Sequence, residues 1–136
     1  MQCRTPGRIL LVEDDSLIRM TLAEALEDAG FEVTQAANGE AAAALIERLG
    51  FDLLLTDVQM PGRLDGIDLA RRTRRSHPDL PIVFMTGRPD AIDAIGRLGS
   101  QEAFLRKPFG PREMLATLRP LLDGRFPGNP AGHAPA

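Results

Sequence analysis

The chain has 136 residues, of which 43% are hydrophobic and 26% are charged, and its formal net charge is -3. This length suits one domain with a single core, and the charge gives no general reason to expect direct nucleic-acid binding. The single cysteine, Cys3, excludes an intrachain disulfide, and every apolar run is too short to span a bilayer. We therefore expect a cytoplasmic protein with no membrane association.

Strand and helix patterns alternate along the chain. Short apolar runs predict buried strands, and apolar residues spaced three and four apart predict helices that pack against them. The predicted strands are residues 8–12, 31–36, 51–57, 81–86 and 103–106. The first predicted helix has an apolar face that runs from Ile18 to Ala29, and it ends at Gly30. The next three are residues 39–49, 65–76 and 89–98, and the last helix begins at Pro111.

Five strand–helix units with short links predict an α/β fold, in which a five-stranded parallel sheet has helices on both faces. Right-handed crossovers restrict the topology to doubly wound sheets, and we take the flavodoxin-like order 2-1-3-4-5 as the predicted strand order. Pro120 should end or kink the last helix near residues 116–119. Residues 1–7 are predicted to be an N-terminal extension, and residues 123–136, rich in Gly, Pro and Ala, a disordered tail.

Polar residues end the strands at the edge where ligands bind in such sheets. Glu13 and Asp14 follow the first strand, Asp57 ends the third, Thr86 ends the fourth, and Lys107 follows the fifth. Because the first and third strands are neighbours in this order, the three carboxylates should converge. Two unit charges about 4 Å apart cost roughly 4 kcal/mol at an effective dielectric of 20. A cation must therefore share the cluster, and hard oxygen ligands in an open cleft suit Mg²⁺.

This set of residues fits phosphoryl transfer to a carboxylate. Asp57 could act as the nucleophile and form an aspartyl-phosphate. The transferred group carries negative charge, which Mg²⁺ on Asp14 and Asp57 and the ammonium of Lys107 would neutralise. Thr86 offers a hydroxyl donor, and Gly87 leaves room for the incoming group.

Each of these residues also has a simpler structural explanation. Asp15 can cap the first helix, Asp57 can form a turn, and Thr86 can cap the next helix. Lys107 can be a surface charge, although 15 of the 16 basic residues are arginine and it is the one lysine. Turn chemistry alone does not require these residue types together at one edge of a sheet.

Five motifs, in this order, resemble the receiver domains of two-component response regulators over residues 8 to about 122. They are LVEDD at 11–15, TDVQMPG at 56–62, DG at 65–66, MTG at 85–87 and KPF at 107–109. The resemblance implies that a sensor histidine kinase or a histidine phosphotransfer protein phosphorylates Asp57. It also implies that Glu13, Asp14, Asp57 and the backbone carbonyl of Gln59 bind Mg²⁺.

The resemblance implies the remaining roles as well. Thr86 and Lys107 would bind the phosphoryl group, and Thr86 and Phe104 would form a switch, although plain core packing also explains Phe104. The switch would change the surface formed by the predicted helix 89–98, the fifth strand and the last helix, and so control a downstream protein. The lifetime of the phosphate would depend on Gln59, Gly87 and Arg88.

The loop at residues 61–66 is one residue longer than the commonest form in this family, a variant typical of receivers attached to or paired with hybrid sensor kinases. The resemblance also implies a cis peptide bond between Lys107 and Pro108. Met1 and the C-terminal tail favour a complete small protein, which would act either as a stand-alone regulator through protein contact or as a phosphate sink. A receiver cut from a hybrid kinase remains an alternative.

Other classes of protein fit the sequence less well. A phosphohydrolase with an aspartate nucleophile needs an acid two residues later, where this chain has Gln59. A nucleotide-binding site would have a glycine-rich turn after the first strand, and the arginines at 71–75 are typical of a solvated helix face. We therefore expect no enzymatic activity beyond Mg²⁺-dependent self-phosphorylation and slow autodephosphorylation. A pseudo-receiver that binds a partner without phosphorylation is the alternative.

Overall fold

The structure is a computed structural model, which describes residues 7–88, 90 and 101–123. The predicted helix at 89–98 apart from residue 90, most of the N-terminal extension and all but the first residue of the predicted tail lie outside the described residues. Among the described helices, none is both long enough and apolar enough to cross a membrane.

Five parallel strands form one sheet in the order β2-β1-β3-β4-β5, which confirms the predicted topology. All residues of β3 and β4 are buried, because helices cover both faces of a parallel sheet and so require continuous apolar strands. The strands are β1 (Arg8–Val12), β2 (Glu32–Ala36), β3 (Leu53–Asp57), β4 (Ile82–Thr86) and β5 (Glu102–Arg106).

Side-chain caps explain where three of the described helices begin. A side-chain oxygen before each helix accepts a hydrogen bond from a backbone N–H group in the first turn. The accepting residues are Asp15 at 3.0 Å, Asn38 at 2.8 Å and Asp65 at 2.9 Å. Gly30, at φ 100°, follows the end of the first helix as predicted. The helices are α1 (Ser16–Asp28), α2 (Gly39–Arg48), α3 (Gly66–Ser76) and α4 (Pro111–Asp123).

The prediction that Pro120 ends the last helix was wrong, because α4 runs through this proline to Asp123. A kink at this position stays a prediction. Leu118 and Leu122, on either side of Pro120, are both buried in the core. Proline has no N–H to donate to the carbonyl of Ala116, but the packing of these two leucines holds the last turn against the sheet. Tertiary burial therefore overrides the local preference.

The core consists of two clusters, one on each face of the sheet, because alternate residues of a strand point to opposite faces. In β1, Leu10 and Val12 join the cluster covered by α2 and α3, whereas Ile9 and Leu11 join the cluster covered by α1 and α4. This sandwich leaves the edge at the carboxyl ends of the strands open for a site.

Candidate functional site

Glu13, Asp14 and Asp57 meet at the carboxyl edge of the sheet. Each offers a carboxylate oxygen, and these atoms lie within 4.8 Å of one another. The convergence follows from the register, because Val12 of β1 lies opposite Thr56 of β3 and the acids come directly after this pair. Glu13 is 1% exposed and Asp57 is 7% exposed, whereas Asp14 is exposed to solvent.

Lys107 supplies a cation to this cluster. Its Nζ lies 2.9 Å from Oε1 of Glu13 and 3.3 Å from Oδ2 of Asp57. Its backbone N–H donates to the carbonyl oxygen of Thr86 at 2.9 Å, and the Lys107–Pro108 peptide bond is cis, as predicted. The ammonium therefore reaches the acids from the neighbouring part of the same sheet edge.

Burial and mutual interaction shift the pKa values of the three charged groups. Burial raises the pKa of Glu13, and the charge of Asp57 adds to this effect, while the hydrogen bond from Lys107 opposes it. Burial also raises the pKa of Asp57, and the charge of Lys107 opposes the shift. Burial alone would lower the pKa of Lys107, but its hydrogen bond to Glu13 and the charge of Asp57 leave this pKa raised. Lys107 is therefore positively charged at neutral pH.

The carboxylate cluster has the composition of a Mg²⁺ site. Mg²⁺ binds oxygens octahedrally at 2.0–2.1 Å, so ligand atoms on one ion lie about 2.9 to 4.2 Å apart. Oxygens that already lie within 4.8 Å of one another would need only small side-chain adjustments. The exposed Asp14 leaves room for the waters that Mg²⁺ retains, and the residues present therefore fit the ion.

Gln59 lies two residues beyond Asp57, and its backbone is close enough to the Asp57 carboxylate to oppose the rise of the Asp57 pKa that burial causes. Its side chain is exposed to solvent. The segment after β3 therefore runs close to the acidic cluster. Coordination of Mg²⁺ by the Gln59 carbonyl stays a prediction.

Thr86 is 1% exposed, and its hydroxyl accepts a hydrogen bond from the backbone N–H of Arg88 at 3.1 Å. It directly follows Met85, which lies opposite Asp57 in the sheet. A Cβ added to Gly87 would lie 3.6 Å from the Cβ of Lys107, an ordinary contact. The backbone therefore places Thr86 and Gly87 at the same edge as the acids, without a steric need for glycine.

Phe104 lies in β5 opposite Phe84 of β4 and is half-buried against the core cluster on the α2 and α3 side. Phe104 therefore packs against the core, as the simpler explanation of this residue expects. The switch role that the family resemblance implies stays a prediction.

Two residues to which sequence reasoning assigned no role in the site support it. Nη1 of Arg19 donates to the carbonyl oxygen of Glu13 at 2.8 Å, which holds the backbone of the acidic segment. Gly66 begins α3 so close to β3 that an added Cβ would lie 2.0 Å from the Asp57 carbonyl oxygen. The Asp65-Gly66 motif was the one sequence signal for this approach, whereas the Arg19 contact is tertiary and leaves no sequence pattern.

The chain is similar in sequence and in structure to known response regulators. Response regulator receiver protein CpdR of Brucella abortus is 41% identical over 116 residues, which cover 85% of this chain and 96% of CpdR. Response regulator MprA of Mycolicibacterium vanbaalenii is 37% identical over 132 residues, and these cover 96% of this chain but 57% of MprA. The crystal structure of response regulator protein TrrA from Thermotoga maritima in complex with Mg(2+)-BeF matches with a TM-score of 0.77 at 30% identity, covering 85% of this chain and 98% of TrrA.

The family model described as the response regulator receiver domain matches residues 9–119, a range that includes every member of the acidic cluster and Lys107. Both the order of the strands and the site at their carboxyl ends agree with this match. The chain therefore belongs to the response regulator receiver domain family of two-component systems.

Proposed function

We propose that Asp57 accepts a phosphoryl group from a sensor histidine kinase or a histidine phosphotransfer protein. The observation that carries this proposal is the placement of its carboxylate: it is 7% exposed, it adjoins two further acids, and the Nζ of Lys107 lies 3.3 Å from its Oδ2. A turn-forming aspartate needs none of these neighbours.

In the proposed reaction, a carboxylate oxygen of Asp57 attacks the phosphorus of a phosphohistidine. The new O–P bond forms as the P–N bond breaks, and the imidazole of the donor keeps the electron pair of that bond. The Lys107 ammonium, held in its charged form, attracts the negative oxygens of the phosphoryl group during transfer. The chain itself thus contributes position and charge and has little other chemistry to perform.

We further propose that Glu13, Asp14, Asp57 and the backbone carbonyl of Gln59 hold Mg²⁺. When bound, the ion would neutralise charge both on the carboxylates and on the phosphoryl oxygens. The mutual proximity of the three carboxylates supports this ligand set, as does the similar TrrA structure, which is described as a complex with Mg(2+)-BeF.

The output that we propose is a change of surface. The Thr86 hydroxyl would bind the phosphoryl group, and Phe104 would change its packing in response. The surface of residues 89–98, β5 and α4 would then bind a downstream protein differently. Gln59, Gly87 and Arg88 would tune how long the phosphate lasts, and self-phosphorylation and slow autodephosphorylation would be the only reactions, in the cytoplasm.

Phosphorylation by a small donor tests the proposal. We expect acetyl phosphate with Mg²⁺ to add one phosphoryl group, detected by intact-protein mass spectrometry, and Asp57→Asn to abolish it. Asp28→Asn, at the exposed end of α1, is the matched control and should be labelled like the wild type. Equal labelling of Asp57→Asn would reject Asp57 as the acceptor. An unlabelled wild type that still binds a protein partner would favour the pseudo-receiver alternative.

A further inference from the structure

The loop at residues 61–66 is bound to the start of α2 through Glu40. The backbone N–H of Arg63 donates to Oε2 of Glu40 at 2.7 Å. The hydrogen bond from Arg63 is the main cause that lowers the pKa of Glu40, and the backbone of Leu64 contributes further. The Glu40 carboxylate on α2 thus binds the backbone of the loop at Arg63.

Two glycines allow this close contact. Gly62 adopts φ 106°, a conformation that favours glycine, and an added Cβ would lie 3.1 Å from both Glu40 carboxylate oxygens. Gly39, next to Glu40, packs directly on the loop, since its added Cβ would lie 2.3 Å from the carbonyl oxygen of Leu64. The loop is therefore seated against α2 by backbone contact as well as by the carboxylate.

The other end of the loop is fixed at the proposed phosphoacceptor. The backbone N–H of Gly66 donates to the carbonyl oxygen of Val58 at 2.8 Å, next to Asp57. The segment between Val58 and the loop contains Gln59, whose backbone lies close to the Asp57 carboxylate. Residues of both the metal site and the loop contact also line one groove of about 480 Å³, namely Asp14, Ala37, Asn38, Glu40, Pro61 and Gly62.

We propose that Glu40 is a positioning residue for the metal site: by binding the backbone of the 61–66 loop, it fixes the segment that carries Gln59 beside Asp57. This inference rests on the proposed function. Fixing the course of a loop costs conformational entropy, and the Glu40 contact offsets part of this cost. Asp14 lines the same groove as Glu40, so displacement of the loop would also change the surroundings of the acidic cluster.

A purely local role for Glu40 predicts different behaviour. An acid in the first turn of a helix interacts favourably with the helix dipole, and in that case its loss would lower stability without changing ion binding. The N-cap of α2 is already provided by Asn38, which accepts from Ala41. Measurement of Mg²⁺ affinity therefore separates the two roles.

The test compares Glu40→Ala and Glu40→Gln with Glu47→Gln. Glu47 is an exposed carboxylate on the same helix and forms an ion pair with Arg72 at 3.2 Å, away from the 61–66 loop. We expect Glu40→Ala to raise the Mg²⁺ dissociation constant, measured by calorimetry, about tenfold, the low end for residues that orient metal ligands. Glu40→Gln keeps an acceptor and should recover much of this loss, and Glu47→Gln should match the wild type.

Two further readouts tie the effect to the loop. Amide hydrogen exchange at Arg63 and Leu64 should accelerate in Glu40→Ala but not in Glu47→Gln. Saturating Mg²⁺ should restore most of the rate of labelling by acetyl phosphate in Glu40→Ala, because binding and not chemistry is impaired. Folded Glu40→Ala with wild-type Mg²⁺ affinity, or with unchanged exchange at these two amides, would overturn the inference. Absence of labelling in the wild type would instead reject the proposed function. The comparison of Mg²⁺ dissociation constants would still test the positioning role of Glu40.

Discussion

The Nζ atom of Lys107 lies 2.9 Å from Oε1 of Glu13, although 94 positions separate the two residues in the sequence. The chain uses arginine for every other basic residue. An ammonium is a compact charge on a flexible stem, whereas a guanidinium is a planar fork. The position next to a 1% exposed carboxylate therefore suits the one lysine that the chain has.

The first prediction concerns this ammonium. Lys107→Met should slow labelling by acetyl phosphate on the order of 100-fold, the loss typical when one group that stabilises transition-state charge is removed. Lys107→Arg should not restore the rate, because the guanidinium cannot reproduce the geometry of the ammonium. The initial rate of phosphoryl incorporation, followed by mass spectrometry at saturating Mg²⁺, measures the effect.

Arg106→Met is the control for Lys107→Met. Arg106 is the exposed neighbour at the end of β5, so its loss changes the net charge equally but leaves the cluster intact. Similar rates for the two variants would show that only the overall charge matters and would remove Lys107 from the proposed mechanism.

The second prediction concerns pH and Mg²⁺. The pKa values of Glu13 and Asp57 are raised, chiefly by burial. Their contribution to stability is therefore fully present below the ordinary carboxyl pKa of about 4 and is lost as the pH rises through their folded values. Mg²⁺ competes with these protons, so its stabilising effect should grow as the pH rises through the same window.

Thermal unfolding with and without Mg²⁺ tests this dependence. At about neutral pH, a free Mg²⁺ concentration 100 times the dissociation constant should add about 2.7 kcal/mol to the free energy of unfolding, and the gain should shrink near pH 4. Sodium chloride at equal ionic strength controls for general screening. A gain that is the same at both pH values would mean that the ion binds elsewhere.

The alternation of strands and helices sufficed to predict a doubly wound parallel sheet, which brings all carboxyl strand ends to one edge. The meeting of Glu13 and Asp57 depended further on the flavodoxin-like order 2-1-3-4-5, which alternation alone does not specify. Contacts between distant side chains and backbone could not be predicted in this way. The Arg63–Glu40 hydrogen bond depends on the course of a loop, which no periodic pattern specifies. Pro120 was misjudged because local rules ignore the burial of Leu118 and Leu122. Sequence patterns thus predict where elements lie, while packing decides exceptions and loops.

The third prediction concerns the close approach of α3 to the proposed phosphoacceptor. In Gly66→Ala, the new methyl group would lie 2.0 Å from the carbonyl oxygen of Asp57 and 2.8 Å from the Cα of Val58. Both are backbone atoms, so the overlap can be relieved only by a shift of the helix or of the strand end. We expect a loss of at least about 1–3 kcal/mol in the free energy of unfolding, as for other overpacked sites. Urea denaturation measures this loss.

Gly50→Ala is the matched substitution for Gly66→Ala. A Cβ at this position meets no atom within 4 Å, and Gly50 is not among the glycines with positive φ. The alanine should leave stability unchanged or raise it by about 0.4–1 kcal/mol, because it restricts the unfolded chain. If Gly66→Ala proved as stable as Gly50→Ala, the start of α3 would not press on the Asp57 backbone.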